Sequence, residues 1–365
     1  MDNLNMLLKD LENKIDVEGY HNLLIDEEKV LNYQPMERAN VRVLYAPSLK
    51  GYEIKEIHES MEKMMFNELM GCIPHIESGT GLPMIRANYG VGTLPSLFGL
   101  SCKIVNNNMP WVEHVEKDEV KKIISRGVPD LDTGFGKKLT LTHEYYQEKL
   151  SKYPKCSDYI KIYHPDFQGP LDVAHLIYGA DIYMDMYDDP EFVHELLSLV
   201  TDTYIAIMKR TKKEIEDEYG EHCFHWSHLY GGHVVVRNDS AVNVSAEMYK
   251  EFVQPYDEKI LKAFGGGSIH YCGKADQWIF DMLKTKNLRA MNFGYLEKFN
   301  FGNEYLKKIG EEFTAHKMPI IDYVLSKKEF SEMEFETFHN GVSYCVSVDN
   351  LEDGRKLLNQ CWKKR

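Results

Sequence analysis

The chain of 365 residues has no run near the ~18 apolar residues that a bilayer-crossing helix needs. It has no basic excess either: 43 Lys and Arg stand against 57 Asp and Glu, a net charge of -14. That balance repels phosphate backbones and anionic lipid, so neither nucleic acid nor a membrane surface is an expected partner. A disulfide framework is also absent. The seven cysteines (72, 102, 156, 223, 272, 345, 361) are odd in number and scattered, as in a reducing compartment where thiols are free, buried or metal-bound. Residues 1–14 mix acids with apolar positions and contain no apolar stretch ending at a small-residue cleavage site, so the expected location is cytoplasmic. No G-x-S-x-G, P-loop or H-E-x-x-H occurs, which excludes the usual serine hydrolases, nucleotide phosphoryl transfer and zinc proteases. Repeats, low-complexity tracts and Gly/Ser- or Pro-rich linkers are missing too. What remains, 43% hydrophobic and 12% aromatic with 27% charged, is enough to bury a sizeable core.

Residues 1–75 read as helices: Leu4, Leu7, Leu8 and Leu11 fall on one helical face, as do Ile54, Ile57, Met61, Met64 and Met65. Gly79 and Gly81 break that pattern, residues 83–88 read as a first strand, and 89–157 read as irregular excursions. Further on, strand-like runs at 158–163, 234–236, 268–272, 288–293, 318–321 and 342–346 alternate with helical stretches. One helix is capped by Asp189 with Pro190 at its first position, another by Ser245, and the last begins near residue 350. Such alternation implies parallel strands, in a closed barrel or an open doubly wound sheet. The dinucleotide fingerprint of the open sheet is missing, because the glycines at 265–267 precede a strand instead of following one. The expected architecture is therefore α/β, a (β/α)8 TIM-type barrel over residues 76–365 with an N-terminal helical extension over residues 1–75.

The segment 268–273 (S-I-H-Y-C-G) carries the clearest chemistry. In a strand His270 and Cys272 point the same way, at the carboxyl end where barrel active sites assemble. An imidazole and a thiol make half a zinc site. A second strand pattern ends with Cys345, and barrel closure brings strand ends together. His270, Cys272 and Cys345 then form a three-ligand set with an open fourth position, suited to activating a substrate thiol. The bland alternative is that His and Cys are satisfied packing residues. His222, His225, His228 and His233 put four imidazoles within twelve residues. Such a cluster can ligate metal or shuttle protons; it reads as a loop over the barrel mouth in which substrate contact is the favoured role, with His225 and His233 touching substrate and His228 moving protons. Arg86, Asn88, Arg237, Asn238 and Asp239 are polar residues at other inferred strand ends. Arg86 and Arg237 suit substrate carboxylates, with Asn88 beside them, and Asp239 suits a fourth ligand or a base. An internal salt bridge or helix cap is the equal alternative for each.

Three stretches resemble the uroporphyrinogen decarboxylase superfamily: Q-G-P-L-D-V-A at 168–174, D-I-Y-M-D-M-Y-D-D-P-E-F-V at 181–193, and V-S-A-E-M-Y-K-E-F-V-Q-P-Y at 244–256. The following His270-x-Cys272-Gly273 belongs to the same likeness, which covers about residues 83–365. The resemblance implies a (β/α)8 barrel and offers two branches. One is the cofactor-free decarboxylase of tetrapyrrole acetate groups; the other comprises zinc-dependent methyltransferases acting between a corrinoid protein and a thiol. Met84-Ile85-Arg86 matches the start of the decarboxylase's M-R-Q-A-G-R stretch, but its second arginine position is Gly90 and no Asp occurs between Asn88 and Lys117. The methyltransferase branch carries an H-x-C and a distant C-terminal cysteine as ligands, matched by His270, Cys272 and Cys345. Tyr344 and Val346 flank that cysteine where the branch has Gly and Pro close by. The resemblance thus implies Zn2+ on those three residues, a small-molecule thiol acceptor, and a corrinoid methyl donor on a separate partner protein. Two alternatives stay open: a lyase acting on a tetrapyrrole or other polycarboxylate, and a non-catalytic barrel that binds a tetrapyrrole or corrinoid.

Overall fold

Alternating polarity decides which face each central strand turns to the helices. Along Gly267–Cys272, Ile269 and Tyr271 enter the main hydrophobic core, whereas Ser268, His270 and Cys272 point to the opposite side. Leu288–Gly294 repeats the pattern, with Met291 and Phe293 toward the helices and Ala290 in a separate, smaller cluster. The computed structural model describes residues 3–294, 301–333 and 340–362. Its strands in chain order are β1 (Asn40–Leu44), β2 (Met84–Ile85), β3 (Cys102–Lys103), β4 (Trp111–Val112), β5 (Lys161–Ile162), β6 (Glu218–Tyr219) and β7 (His222–His225), then β8 (His228–Gly231), β9 (Val235–Arg237), β10 (Gly267–Cys272), β11 (Leu288–Gly294), β12 (Ile320–Leu325) and β13 (Val342–Ser347).

Six of these form one parallel sheet in the order β1-β13-β12-β11-β10-β9. Parallel β2 and β5 pair separately, and a single parallel bridge from Gln168 to Arg237 ties the segment after β5 to β9. The fold is thus mixed α/β with a parallel sheet, as the strand–helix alternation implies. The sheet is not closed, because β1 and β2 share no ladder among the described residues. Pro83 directly before β2 and Pro165 shortly after β5 remove donors there, which keeps both strands short.

Several local expectations are corrected. Residues 1–75 are not all helix: β1 lies inside them and pairs with the last strand, β13. Its five residues (N-V-R-V-L) carry the period-2 pattern, with Val41 and Val43 in the core. The face assigned to Ile54 through Met65 is split between helices Ile54–Glu59 and Met61–Ser78 at Ser60, whose side chain caps the second by accepting the Lys63 N–H at 3.3 Å. Residues 89–157 are about half helical, with Lys117–Arg126 and Gly136–Leu150 the longest pieces, and irregular elsewhere apart from β3 and β4. The expected strand at 158–163 shrinks to β5 because Pro154 starts the short helix Pro154–Tyr159. The caps at Asp189 and Ser245 are present, accepting from Phe192 N–H and Met248 N–H.

The largest correction concerns the histidine-rich segment. It is not a loop over a mouth but a hairpin, β7 and β8 in antiparallel register, turned by Trp226 and Ser227 at φ values of 43° and 66°. One side, Cys223 and Tyr230, packs on Val235, Ala290 and Ile321 of the sheet's inner face; the other, Phe224 and Leu229, packs on Tyr20, Leu24 and Met84. The hairpin base meets the start of β10, where Ser268 Oγ donates to Gly231 O at 2.8 Å. Its tip reaches His270. No helix among the described residues is long and apolar enough to cross a membrane. The six cysteines with described side chains are all free, and the side chain of Cys361 lies outside the described residues.

Candidate metal centre

β9 and β10 run side by side, with Arg237 opposite His270. The chain leaves β9 in a 3-10 turn, Asp239–Asn243, held by buried Asp172, whose carboxylate accepts the N–H of Asp239 at 2.8 Å and of Ser240 at 2.5 Å. Burial, then the nearby Asp239 charge, pushes the Asp172 carboxyl up to about 8. So fixed, Asp239 Oδ1 accepts the N–H of Cys272 at 2.7 Å and lies 3.5 Å from His270 Nε2. Cys272 Sγ lies 3.4 Å from that same nitrogen. Among the described residues these three form the one group of three or more His, Cys, Asp or Glu whose ligand atoms all lie within 4.8 Å of one another.

The chemistry of this donor set fits a tetrahedral zinc. Bond lengths of about 2.0–2.3 Å at tetrahedral angles put neighbouring donors about 3.3–3.8 Å apart, and the two separations from Nε2 are 3.4 and 3.5 Å. One thiolate and one carboxylate would neutralise a divalent cation, and three ligands leave a fourth position open. The tautomer of His270 is determined as well. Asn292 Nδ2 donates to Ile321 O at 2.6 Å, so its Oδ1 must be the atom that accepts His270 Nδ1–H at 2.5 Å. The Nε2 lone pair therefore faces Cys272 and Asp239, an orientation typical of metal-binding histidines. Burial keeps the imidazole below its ordinary pKa range, hence neutral. Burial, then the neighbouring Asp239 carboxylate, pushes the Cys272 thiol up to about 12, so metal would have to displace its proton. At Gly294 on β11 a Cβ would sit 2.2 Å from Cys272 Sγ and 2.8 Å from His270 Cε1. The cradle is open only because that residue has no side chain.

A cationic wall adjoins the trio. Trp226, at the hairpin tip, meets the His270 ring edge-on at 4.7 Å, and the Arg237 guanidinium lies 3.8 Å from its ring centre. Arg237 is ion-paired with Asp166, which also stands 3.5 Å from Arg86 Nη1. Arg237 Nη2 donates to His225 Nε2 at 3.1 Å, and Asn88 Nδ2 donates to Glu68 at 3.0 Å. Arg86 Nη1, Arg237 Nε and Asn88 Oδ1 are buried without a hydrogen bond.

The remaining sequence candidates sit elsewhere. Cys345 does not join the trio. It is buried next to Arg42, its register partner on β1, and near Asp322 on β12; burial, then Asp322, pushes its thiol up to about 12. Strand order explains this: β13 and β10 are separated by β12 and β11, so their ends do not meet. His228 is fully buried with both nitrogens engaged, Nδ1 to Glu27 at 2.8 Å and Nε2 to Asp322 at 3.0 Å. It serves as the centre of an internal ion-pair network with Arg42. His233 lies at the hairpin base, 3.3 Å from Glu218, away from the trio. Sequence reasoning missed Asn292, Gly294, Trp226 and Asp166. The first two were detectable, since Ala290, Asn292 and Gly294 share a period-2 face in the run L-R-A-M-N-F-G.

No protein-family model matches the chain, and no curated protein matches it. Among solved structures it is similar to a methyltransferase from Methanosarcina mazei, with a TM-score of 0.63 and 16% identity over 93% of this chain and 97% of that one. At that identity the likeness establishes the shared α/β fold and nothing finer.

Proposed function

We propose that the chain is a methyltransferase delivering a methyl group to a small-molecule thiol at a zinc ion held by His270, Cys272 and Asp239. The observation that carries this reading is the convergence of those three donors within 4.8 Å of one another, with both separations from His270 Nε2 near a tetrahedral edge. The shared fold with a protein named a methyltransferase supports methyl transfer, and the resemblance to the uroporphyrinogen decarboxylase superfamily adds a corrinoid donor on a separate partner protein. Bound zinc supplies the Lewis acidity that lowers a thiol's pKa toward neutrality. Asn292 holds His270 in the ligating tautomer. Asp239, whose side chain is 41% exposed, gives the acceptor's proton a path to solvent. Arg86 and Arg237 orient an acidic group of the acceptor, using the donors that Asp166 leaves free. In the same reading the sheet, with β2 and β5, is a (β/α)8 barrel left open between β1 and β2, and the compartment is the cytoplasm.

Elemental analysis of protein purified without a tag tests the proposal. About one zinc per chain is expected, lost in Cys272→Ser and Asp239→Ala. A folded, metal-free wild-type protein overturns it. One observation favours a second reading: two buried arginines share the single carboxylate Asp166, as polycarboxylate clamps would. A carboxy-lyase would release CO2 from a uroporphyrinogen without metal, and failure to do so removes that alternative.

A further inference from the structure

We propose a second ligand site for a small phosphate-bearing anion, at the opposite pole of the sheet from the metal centre. A cavity of about 370 Å³ opens there, lined by Glu221, His222 and Gly232 at the hairpin base together with Gly265, Arg289 and Lys317. These residues lie near the starts of β10, β11 and β12, whereas Cys272 ends β10. A six-residue strand spans about 16–20 Å, so the two sites are separate.

Charge argues for an anion. Among the described residues Arg38, Arg42, Arg86, Arg126, Arg210 and Arg237 are ion-paired, and Arg355 lies within electrostatic reach of Glu77. The side chains of Arg289 and Lys317 make no ion pair or hydrogen bond among the described residues, although acids outnumber bases by 57 to 43 in the chain. Both line this cavity, against the single carboxylate of Glu221. The backbone is also shaped around the space. Gly232 has φ +79°, and a Cβ on it would meet the Gly266 and Gly267 backbone at 2.3–2.5 Å; a Cβ on Gly266 would stand 3.0 Å from Arg289 Nε. Glycine at 232 lets the hairpin base pack against the backbone of residues 266 and 267, and glycine at 266 lets the Arg289 side chain lie close over the chain. A guanidinium fork with an ammonium point charge suits a tetrahedral phosphate, and the apolar walls Leu31, Leu288 and Met318 leave room for an organic moiety.

Calorimetry on the full chain at constant ionic strength, with inorganic phosphate and glycerol phosphate as probes, tests the site. Saturable binding is expected, at least ten-fold weaker in the double variant Arg289→Gln, Lys317→Gln, whose zinc content and circular dichroism match wild type. Tighter binding of the ester supports a phosphorylated metabolite as the source, and equal binding supports the free ion. Glu221→Gln, which removes the opposing charge, should bind phosphate several-fold more tightly and keeps the test open if the double variant does not fold. No saturable binding of either probe up to about 20 mM, or affinity unchanged in all variants, overturns the proposal. Neither result bears on whether the separate trio holds zinc.

Discussion

Gly294→Ala probes the metal centre without removing any ligand. The added methyl carbon would lie 2.2 Å from Cys272 Sγ, while ordinary van der Waals contact begins at 3.4 Å. The sulfur, the imidazole edge or both must therefore shift by about 1 Å, since a packed interior leaves no slack to absorb the methyl group. A donor displaced that far leaves the ~2.3 Å bonding distance to zinc. The expected loss in metal affinity is about 10–100-fold, the range found when groups supporting metal ligands are altered. That corresponds to about 1.4–2.8 kcal/mol. Overpacking should destabilise the metal-free protein by about 1–3 kcal/mol, leaving it folded. Competition with a chromophoric chelator, read alongside urea unfolding of the apo-protein, separates the two effects. If Gly294→Ala binds zinc as tightly as wild type, the donors do not meet at one ion in the cradle described.

Cys345→Ser should retain the full zinc content, because that thiol sits near Arg42 and Asp322, whereas Cys272→Ser should lose it; loss in both variants would return Cys345 to the ligand set. Asn292→Ala frees His270 Nδ1 and should weaken metal binding about 10-fold or more, with Asn292→Asp restoring part of it as an alternative acceptor; unchanged affinity in the alanine variant would dismiss the tautomer argument. His228 has its pKa lowered by burial, but Glu27 and Asp322 outweigh that and raise it from 6.5 to about 9. A raised folded-state pKa means the extra stability is fully present below pH 6.5 and is lost as pH rises through about 9. The loss is about 3 kcal/mol, visible as a falling urea midpoint that His228→Gln should flatten; an identical pH slope in that variant would contradict it. Arg237→Lys should raise KM for an acidic acceptor far more than it lowers kcat, because lysine cannot both stack on Trp226 and pair with Asp166.

Parallel α/β class was legible because strands and helices carry different hydrophobic periods, and β10, β11 and β13 appear close to where that pattern predicts them. β1 was not, since five residues between helical stretches resemble a loop until a partner supplies the ladder. The histidine-rich hairpin was misread for a related reason. Trp226 and Ser227 are not the glycine and asparagine that normally announce a two-residue turn, and the sheet's inner face has to be present before such a turn is worth its strain. Within the candidate site, His270 and Cys272 were visible as a pair two residues apart on one strand. Asp239 was recognised as a polar strand end, but nothing in the sequence tied it to them over Cys345.

Local spacing and composition by themselves determined that an imidazole and a thiol face the same way at one strand end, that the chain carries a net charge of -14, and that the strands run parallel. Those properties depend on side-chain alternation, composition and the helical stretches between strands, which a linear sequence contains. Strand order was decided only by the tertiary structure, because it is set by packing among segments hundreds of residues apart. That order put Asp239, in the turn just after the neighbouring β9, within reach of His270 and left Cys345 three strands away beside a guanidinium.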